Sequence, residues 1–314
     1  MLLGRCLSVQ PFLPVQPRET RVSAYSIWVM EYAFVKEQPT SLFVYGAHNQ
    51  GHRKMPYGYV VIKGQGRTML VDVGYDHEAY GKVLAESYGV ENWRPARDVL
   101  GEVGITPDDV STIFLTHSHF DHMGNIAAYP NATFYIQERE LSKWVWSMSL
   151  ERRFRWLMLG IDPADILRCV DLARQGRLMC VDGDRENVVP GIDLHAAFDT
   201  HTWGSMYVTV RNDLAPGSGD AWVFAGDLVY AHENLRGSDP DDPQYVPVGL
   251  ATGSQFMLIM KSAEMVKRAG GDYTRVIPVH EERLKDLFPS RVTKSGLRVT
   301  ELALADGEAS RVVS

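Results

Sequence analysis

The sequence predicts a single α/β domain in which sheets and helices are stacked in layers. Short runs of apolar and β-branched residues alternate along the chain with segments of helical spacing. The 314 residues, 45% apolar and 23% charged, contain no repeat and no low-complexity linker. A chain of this length buries well over half of its unfolded surface, so its core needs no disulfide. We place the domain at residues 25–314.

The first half of the chain begins with a predicted hairpin. Two β-rich runs, residues 59–63 and 68–73, are separated by Gly64 and Gly66, and glycine suits a tight turn. The elements predicted next are helices over residues 80–88 and 97–103 and strands over residues 112–116 and 133–137.

The second half begins with a predicted helical insertion at about residues 138–176. Its helical spacing is broken near Gly160 and Pro163. The elements predicted after it are strands over residues 206–211 and 221–225, a helix over 254–268 ending at Gly270-Gly271, a last central strand over 275–279 and an outer strand over 298–304.

Residues 1–24 do not resemble a targeting signal. Pro11, Pro14 and Pro17 interrupt them, and no long apolar stretch or small-residue cleavage site follows. We expect a flexible arm that packs on a partner subunit. No window of the chain approaches the ~18 uninterrupted apolar residues of a membrane helix, so no membrane association is expected.

Charge and cysteine content narrow the expected partners and compartment. The net charge is -7 without a run of Lys or Arg, whereas nucleic-acid binding depends on neutralising phosphates. We therefore expect no nucleic-acid partner. Cys6, Cys169 and Cys180 are odd in number and irregularly spaced, which indicates a reducing compartment rather than a disulfide framework. The expected location is the cytoplasm.

The strongest chemical signal follows the predicted strand 112–116. His117, His119, Asp121 and His122 lie within six residues, directly after this apolar run. A strand end releases side chains into a loop, where imidazoles and a carboxylate can converge on one divalent cation. A chance cluster of histidines in a solvated loop is the alternative. The spacing favours a metal site.

The pattern His117-x-His119-x-Asp121-His122 resembles the signature of the metallo-β-lactamase superfamily. Further residues match the family's later motifs in the expected order, namely His201, Asp227 and His280, and Asp72 matches its first motif. The resemblance covers roughly residues 30 to 290. It implies a four-layer αββα fold, with two packed mixed β-sheets between helices.

The resemblance also implies two divalent metal ions per chain, with zinc as the expected metal. It assigns His117, His119 and His201 to one metal, Asp121, His122 and His280 to the second, and Asp227 to both. Asp72 would orient a ligand or cap a strand end. The family's oxygen-reducing members typically carry Glu where this chain has His119, so hydrolysis is favoured over redox chemistry.

Residues near Tyr230 are similar to the N-acyl-homoserine lactonase branch of the family. Asp227-x-x-Tyr230 is followed by a Glu-Asn-apolar tail, and Glu281 follows His280. This similarity implies a lactonase in which a metal-bridging hydroxide attacks the carbonyl, Tyr230 stabilises the oxyanion and Asp121 moves the proton. A buried phenol bonded to a backbone carbonyl is the alternative for Tyr230.

Other substrates and classes stay open. Hydrolases of this branch include dehalogenases of chlorinated aromatics, and related enzymes act on esters, amides or phosphotriesters. After His201 many relatives have Pro and then Gly-His, whereas this chain has Thr202-Trp203-Gly204-Ser205. Trp203 could narrow the pocket or stack over it, which leaves the substrate undecided, and His232 has no assigned role. A metal-stabilised binding protein without turnover is a different class, against which seven matching ligand positions argue.

The aromatic residues of the insertion at 138–176 have two interpretations. Trp144, Trp146 and Trp156 could form a lid over a small-molecule substrate with an apolar or aromatic part. They could instead pack in the core or in a dimer interface. Aromatic stripes at helical spacing are more often core, so the second interpretation is favoured, and a homodimer is expected.

Overall fold

The computed structural model describes residues 23–218 and 221–313. The predicted arm, residues 1–24, lies outside this range except for Ser23 and Ala24. Among the described residues, no helix combines the length and hydropathy that crossing a bilayer would require.

The strands of the described residues form two sheets. In chain order they are β1 (Tyr25–Pro39), β2 (His52–Gly64), β3 (Arg67–Val71), β4 (Thr112–Phe114), β5 (Thr133–Gln137), β6 (Leu178–Val181), β7 (Arg185–Val189), β8 (Ile192–Phe198), β9 (Gly204–Arg211), β10 (Ala221–Phe224), β11 (Val276–Ile277), β12 (Ser290–Val292) and β13 (Arg298–Ala303). The larger sheet has the order β12-β13-β1-β2-β3-β4-β5-β6, and the smaller has the order β11-β10-β9-β8-β7. Both are mixed, since β3 to β6 pair in parallel, β10 pairs with β11 in parallel and the other pairs are antiparallel.

Nine α-helices of the described residues alternate with these strands along the chain. In chain order they are α1 (Thr40–Phe43), α2 (Ala79–Ser87), α3 (Ala96–Gly101), α4 (Phe120–Met123), α5 (Glu138–Met148), α6 (Pro163–Arg174), α7 (Glu233–Arg236), α8 (Gln255–Arg268) and α9 (Leu284–Leu287). Five short 3₁₀ helices in the described ranges cover Pro107–Asp109, Ile126–Ala128, Arg152–Met158, Gly226–Leu228 and Tyr273–Arg275.

The alternation of side chains along β1 shows how the layers stack. Ile27 and Val208 of β9 belong to one buried cluster, and this cluster lies between the two sheets. Trp28 points to the opposite face and packs in a second cluster with Leu100 of α3. Successive side chains of a strand face opposite sides of its sheet. Since Leu258 of α8 covers the smaller sheet's outer side, the predicted four-layer αββα fold is confirmed.

Most of the predicted elements appear near their expected positions. The hairpin is β2 and β3, which pair in antiparallel fashion up to Gly64 and Arg67. The prediction of a last central strand over 275–279 is wrong, because β11 covers two residues at the edge of the smaller sheet. Pro278 follows and has no N–H with which to extend the ladder.

Candidate metal centre

Four segments of the chain bring the seven predicted metal ligands together. Residues 117–122 follow β4, residue 201 lies between β8 and β9, residue 227 follows β10 and residue 280 follows β11. They form two clusters, in each of which the candidate ligand atoms lie within 4.8 Å of one another. The first contains His117, His119, His201 and Asp227, and the second contains Asp121, His122 and His280.

In the first cluster three imidazole nitrogens face one another. His119 Nδ1 lies 3.1 Å from His117 Nε2 and 2.9 Å from His201 Nε2. Asp227 Oδ2 lies 3.6 Å from His117 Nε2 and 3.3 Å from His201 Nε2. All four side chains are buried. A hydrogen bond between two imidazole nitrogens uses one proton, so hydrogen bonds alone cannot pair all three nitrogens. A cation shared by the three would accept all of their lone pairs, and a zinc-type ion suits such nitrogen ligands.

In the second cluster two imidazoles and two carboxylates converge. His122 Nε2 lies 3.4 Å from His280 Nε2, and Asp121 Oδ2 lies 3.6 Å and 3.7 Å from these atoms. Asp227 Oδ1 lies 3.0 Å from His122 Nε2 and 3.1 Å from His280 Nε2, yet it is buried without a hydrogen bond. Its lone pairs are therefore available to a cation held between the two imidazoles.

Nitrogens that face away from the clusters are fixed by hydrogen bonds. His201 Nδ1 lies 2.9 Å from the carbonyl oxygen of Leu250, and His280 Nδ1 lies 2.7 Å from that of Pro56. A carbonyl can only accept, so Nδ1 carries the proton and Nε2 presents its lone pair to the cluster. His119 differs, because its Nε2 is buried and has no hydrogen-bond partner among the described residues.

Asp72 connects the two clusters. Its Oδ2 lies 2.8 Å from His122 Nδ1 and accepts a hydrogen bond from Thr116 Oγ1 at 2.8 Å. Thr116 Oγ1 lies 3.0 Å from His117 Nδ1, and Thr116 N donates to Asp72 Oδ1 at 2.7 Å. The contacts of Asp72 therefore fit both of the interpretations made from the sequence, since it contacts a ligand and also caps the end of β4.

Burial and local charge shift the pKa values of the clustered groups. Burial holds the pKa of His117 and of His119 well below the usual imidazole value. Burial alone would raise the pKa of Asp227, but the surrounding imidazoles, His122 foremost, hold it well below its usual value. His117 and His119 thus present neutral imidazoles beside the ionised carboxylate of Asp227, which is the state that binds a divalent cation.

Two glycines lie where a side chain would collide with the site. Gly226 has a φ of +52°, and a Cβ there would lie 2.7 Å from Thr116 Oγ1. Gly160 has a φ of +77°, and a Cβ there would lie 3.2 Å from His119 Cδ2. Both positions need the left-handed backbone that glycine adopts without strain. The backbone at residue 160 therefore packs directly on the ring of His119.

A pocket of about 170 Å³ opens over the two clusters. His119, Asp121, His201 and Asp227 line it, and the Tyr230 hydroxyl in its wall donates a hydrogen bond to Asp227 Oδ2 at 2.8 Å. Burial, and then the charges of Asp227 and Asp121, raise the pKa of the Tyr230 hydroxyl well above its usual value. The remaining lining is largely apolar and includes Leu42, Met55, Tyr57, Tyr88, Phe120, Trp156, Leu159 and Leu250.

Trp203 and His232 both lie outside this pocket, so Trp203 neither narrows it nor stacks over it. The ring of Trp203 packs 6.3 Å from that of Trp144 and 5.9 Å from that of Trp146. His232 is buried, with Nε2 3.3 Å from the carbonyl oxygen of Val276. Neither side chain lines the pocket over the clusters.

Glu140 is a residue that the sequence analysis missed. It is fully buried, and its carboxylate accepts hydrogen bonds from the loops that carry the first cluster. The signal for it in the sequence is weak, because Glu-Arg-Glu at the start of α5 is typical of a solvated first turn that complements the helix dipole.

A comparison of the sequence with models of protein families gives a match that includes part of this site. Residues 56–207 match the family model of the metallo-β-lactamase superfamily, and this stretch contains the loop 117–122 and His201. With the four-layer fold and the two clusters, the match makes this chain similar to the metallo-β-lactamase superfamily over that stretch.

Among its relatives are N-acyl homoserine lactonases. AiiB of Agrobacterium fabrum is 24% identical over 195 residues, 57% of this chain and 65% of AiiB. A crystal structure of a quorum-quenching N-acyl homoserine lactone lactonase has a TM-score of 0.60 and 17% identity, covering 85% of this chain and 97% of that one. AidC, a dizinc quorum-quenching lactonase in complex with a product, has a TM-score of 0.57 and 16% identity, covering 92% of this chain and 98% of that one.

These relatives confirm the resemblance to the lactonase branch. The match spans slightly less than two thirds of the length of AiiB. At 17% and 16% identity, the likeness to the two solved structures shows a shared fold and no more.

Proposed function

We propose that this chain is a dinuclear-metal-dependent lactonase that opens N-acyl-homoserine lactones and so quenches quorum-sensing signals. The observation that carries the proposal is the hydroxyl of Tyr230, which lies against Asp227 in the wall of an apolar pocket over both clusters. The substrate class named for AiiB and AidC supports it.

We assign the seven clustered residues to two zinc ions. One would be held by His117, His119 and His201, the second by Asp121, His122 and His280, with Asp227 between them. Imidazole nitrogens and carboxylate oxygens are the donors that zinc prefers, and AidC is named as a dizinc enzyme. Bound there, the two ions would supply a water of lowered pKa and polarise the substrate carbonyl.

Tyr230 is proposed to stabilise the charge that develops on the substrate. Hydrolysis joins a water oxygen to the lactone carbonyl carbon and breaks the ring C–O bond, and negative charge builds on the carbonyl oxygen on the way. A phenol O–H that turns from Asp227 to that oxygen lowers the barrier, because its hydrogen bond strengthens as the charge grows. The rings of Phe43 and His280 pack edge-on against Tyr230, at centroid distances of 6.1 Å and 5.1 Å, and hold the phenol in place.

Asp121 is proposed to carry the proton to the leaving oxygen. Its side chain lines the pocket, and its backbone carbonyl accepts a hydrogen bond from the hydroxyl of Tyr32 at 2.7 Å. This hydrogen bond holds the backbone of Asp121 at the pocket, where its carboxylate can take the water proton and keep it until the ring C–O bond breaks.

The apolar part of the pocket is proposed to bind the acyl chain. Met55 and Leu250 line the pocket, and Trp156 also lines it although 61% of the side chain is exposed. Burying methylene groups against such a surface contributes about 0.8 kcal/mol each. Longer acyl chains should therefore bind more tightly, up to the length that the pocket can cover.

We further propose a cytoplasmic homodimer. Cys169 and Cys180 are free thiols, as a reducing compartment allows. The exposed aromatic side chains Trp146 and Phe154 offer apolar area to a second copy. Light scattering of the purified protein would contradict the dimer by giving the mass of one chain.

The lactonase proposal is tested by proton release from zinc-loaded protein with a series of N-acyl-homoserine lactones of increasing chain length. Tyr230→Phe should lower kcat about 100-fold, the loss typical of one oxyanion donor, while the zinc content is retained. The matched control is Tyr207→Phe, which removes another buried hydroxyl, one that donates to Glu264 at 2.7 Å. It should leave kcat unchanged.

Absence of turnover in a protein that carries two zinc ions would contradict the lactonase proposal. The same preparation would then be assayed on aryl esters, amides, phosphotriesters and chlorinated aromatics, which the pocket's apolar lining also suits. A binding protein would instead show lactone binding by calorimetry and release no protons.

A further inference from the structure

We propose that Glu140 is the positioning residue of the first metal site, holding the two loops that carry His117, His119 and His201. The inference rests on the metal centre of the proposed function but not on its substrate. Glu140 lies in the first turn of α5 and is fully buried, although it is not among the seven predicted ligands.

The carboxylate of Glu140 accepts four hydrogen bonds. Oε1 accepts from Ser118 N at 2.9 Å and from Trp144 Nε1 at 2.8 Å. Oε2 accepts from Thr202 Oγ1 at 2.8 Å and from Gly204 N at 2.6 Å. Ser118 lies between the first two histidine ligands, and Thr202 follows the third. One side chain therefore joins the two backbone segments that supply every imidazole of the first cluster.

The packing around Glu140 leaves this geometry little freedom. A Cβ at Gly204 would lie 2.2 Å from the backbone nitrogen of Glu140, so the loop after His201 lies directly against the first turn of α5. A buried carboxylate is costly unless its oxygens are hydrogen-bonded. If either ligand loop lost its hydrogen bonds to Glu140, one carboxylate oxygen would be buried without those partners. The position of each loop therefore depends on the other.

His119 is the ligand that depends most on this arrangement. The other two imidazoles of the first cluster have contacts on their outer nitrogens, with Thr116 Oγ1 and with the carbonyl of Leu250. The outer nitrogen of His119, Nε2, has no hydrogen-bond partner among the described residues. Its ring is held by the packing of Gly160 and by the backbone of Ser118, which Glu140 anchors.

The second cluster is held by other groups. His122 Nδ1 lies against Asp72 and His280 Nδ1 against the carbonyl of Pro56, and neither contact involves Glu140. A change at Glu140 should therefore weaken one metal site and spare the other. A general loss of stability would weaken both.

The test measures Co²⁺ binding by visible absorption and elemental analysis in two single-site backgrounds. His280→Ala leaves the first cluster intact, and His201→Ala leaves the second. Adding Glu140→Gln should weaken Co²⁺ binding about 10- to 100-fold in the His280→Ala background, the range typical of residues that orient metal ligands. In the His201→Ala background it should change the affinity less than about twofold.

Two further variants complete the design. Glu138→Gln changes an exposed carboxylate two residues earlier on α5 and should leave Co²⁺ affinity unchanged in both backgrounds. Thr202→Val keeps Glu140 and removes one of its four donors, so it should cause a smaller loss in the same direction. If circular dichroism shows that Glu140→Gln does not fold, Thr202→Val replaces it in both backgrounds.

Equal losses in the two backgrounds, or no loss in either, would overturn the positioning role. A wild-type chain that binds no divalent metal would overturn both this inference and the metal centre. A wild-type chain that binds two metals but opens no lactone would overturn the lactonase proposal alone, since Co²⁺ binding is measured without substrate.

Discussion

At the scale of single residues, Asp227 has an arrangement that the other six clustered residues lack. Its Oδ2 faces the first cluster, 3.3 Å from His201 Nε2, and its Oδ1 faces the second, 3.0 Å from His122 Nε2. The carboxylate is buried and surrounded by imidazoles. Its negative charge therefore acts on both clusters at once, and no neighbouring acid can replace it in both places.

We expect Asp227→Asn to lose metal from both clusters. The amide keeps the shape of the side chain, but its NH₂ group cannot ligate and the charge is lost. Elemental analysis should give fewer than two metals per chain, and kcat/KM should fall more than about 100-fold, beyond the usual effect of residues that only orient ligands. Asp98→Asn, an exposed acid on α3, is the control. Two retained metals with wild-type rates would contradict the bridging role.

At the scale of elements, the sequence predicts strands and ligand loops better than it predicts what supports them. The loop 117–122 is recognisable because ligand-type residues follow an apolar strand directly. The strand β1 is not predicted, because its nearly continuous apolar run, buried on both faces, lacks the alternation that marks a half-buried strand. Glu140 is not predicted either, since its partners come from distant loops that only the packed sheets bring together.

The segment between β5 and β6 combines both of the interpretations made from its aromatic residues. Trp144 is fully buried in the core cluster, as expected of a packing residue. Trp156 lines the pocket over the metal clusters, as expected of a lid. The 3₁₀ helix Arg152–Met158 thus follows a core helix, α5, and carries a residue that can contact substrate.

We expect Trp156→Ala to raise KM for long-chain lactones about tenfold, because it removes an aromatic surface from the proposed acyl site. The value of kcat and the metal content should stay unchanged. Trp146→Ala is the matched control, since Trp146 is similarly exposed but does not line the pocket. Steady-state kinetics across chain lengths would contradict the acyl site if both variants changed KM equally.

The helix α6 contains a pH-sensitive carboxyl group. Burial, and then the charges of Asp162 and Asp76, raise the pKa of Asp165 to about 7 against the opposing effect of Arg168. The thiol of Cys169 is also close enough to interact with it. The unfolded chain ionises Asp165 near its ordinary pKa of 3.8. Between pH 3.8 and about pH 7, Asp165 is protonated in the folded state and ionised in the unfolded state. The contribution of Asp165 to the free energy of unfolding therefore falls as pH rises.

We expect Asp165→Asn to relieve this pH dependence. Its free energy of unfolding, relative to wild type, should increase by roughly 2 kcal/mol from about pH 5 to about pH 7, measured by urea denaturation. Asp171→Asn, an exposed acid on the same helix whose pKa is lowered by hydrogen bonding to Arg174, should show no such increase. If the difference in free energy of unfolding between Asp165→Asn and wild type did not change with pH, the raised pKa of Asp165 would be contradicted.

At the scale of the whole molecule, the site joins the two sheets. The carbonyl oxygen of Thr116, at the end of β4, accepts a hydrogen bond from Met206 N in β9 at 2.9 Å. His280, which follows the smaller sheet, contacts Pro56 in the larger one. Metals bound here would therefore stabilise the packing of one sheet on the other, and not only the loops that hold them.

We expect removal of the metals by a chelator to lower Tm by about 5 °C or more. A ligand that binds only the folded state at 100 times its Kd adds about 2.7 kcal/mol of stability per site. Zn²⁺ should restore Tm, whereas Mg²⁺, which prefers an octahedral shell of oxygens, should not. An unchanged Tm in protein shown to be metal-free would contradict this stabilisation.

The spread of the ligands along the chain has a consequence for biosynthesis. Every residue of the first cluster lies at or before Asp227, whereas the second cluster needs His280, which the ribosome adds after α8. A nascent chain thus possesses a complete set of ligands for one ion while the other set lacks a member. Metal capture during translation is expected to proceed in that order, and the candidate metal centre becomes whole only when the last part of the chain has emerged.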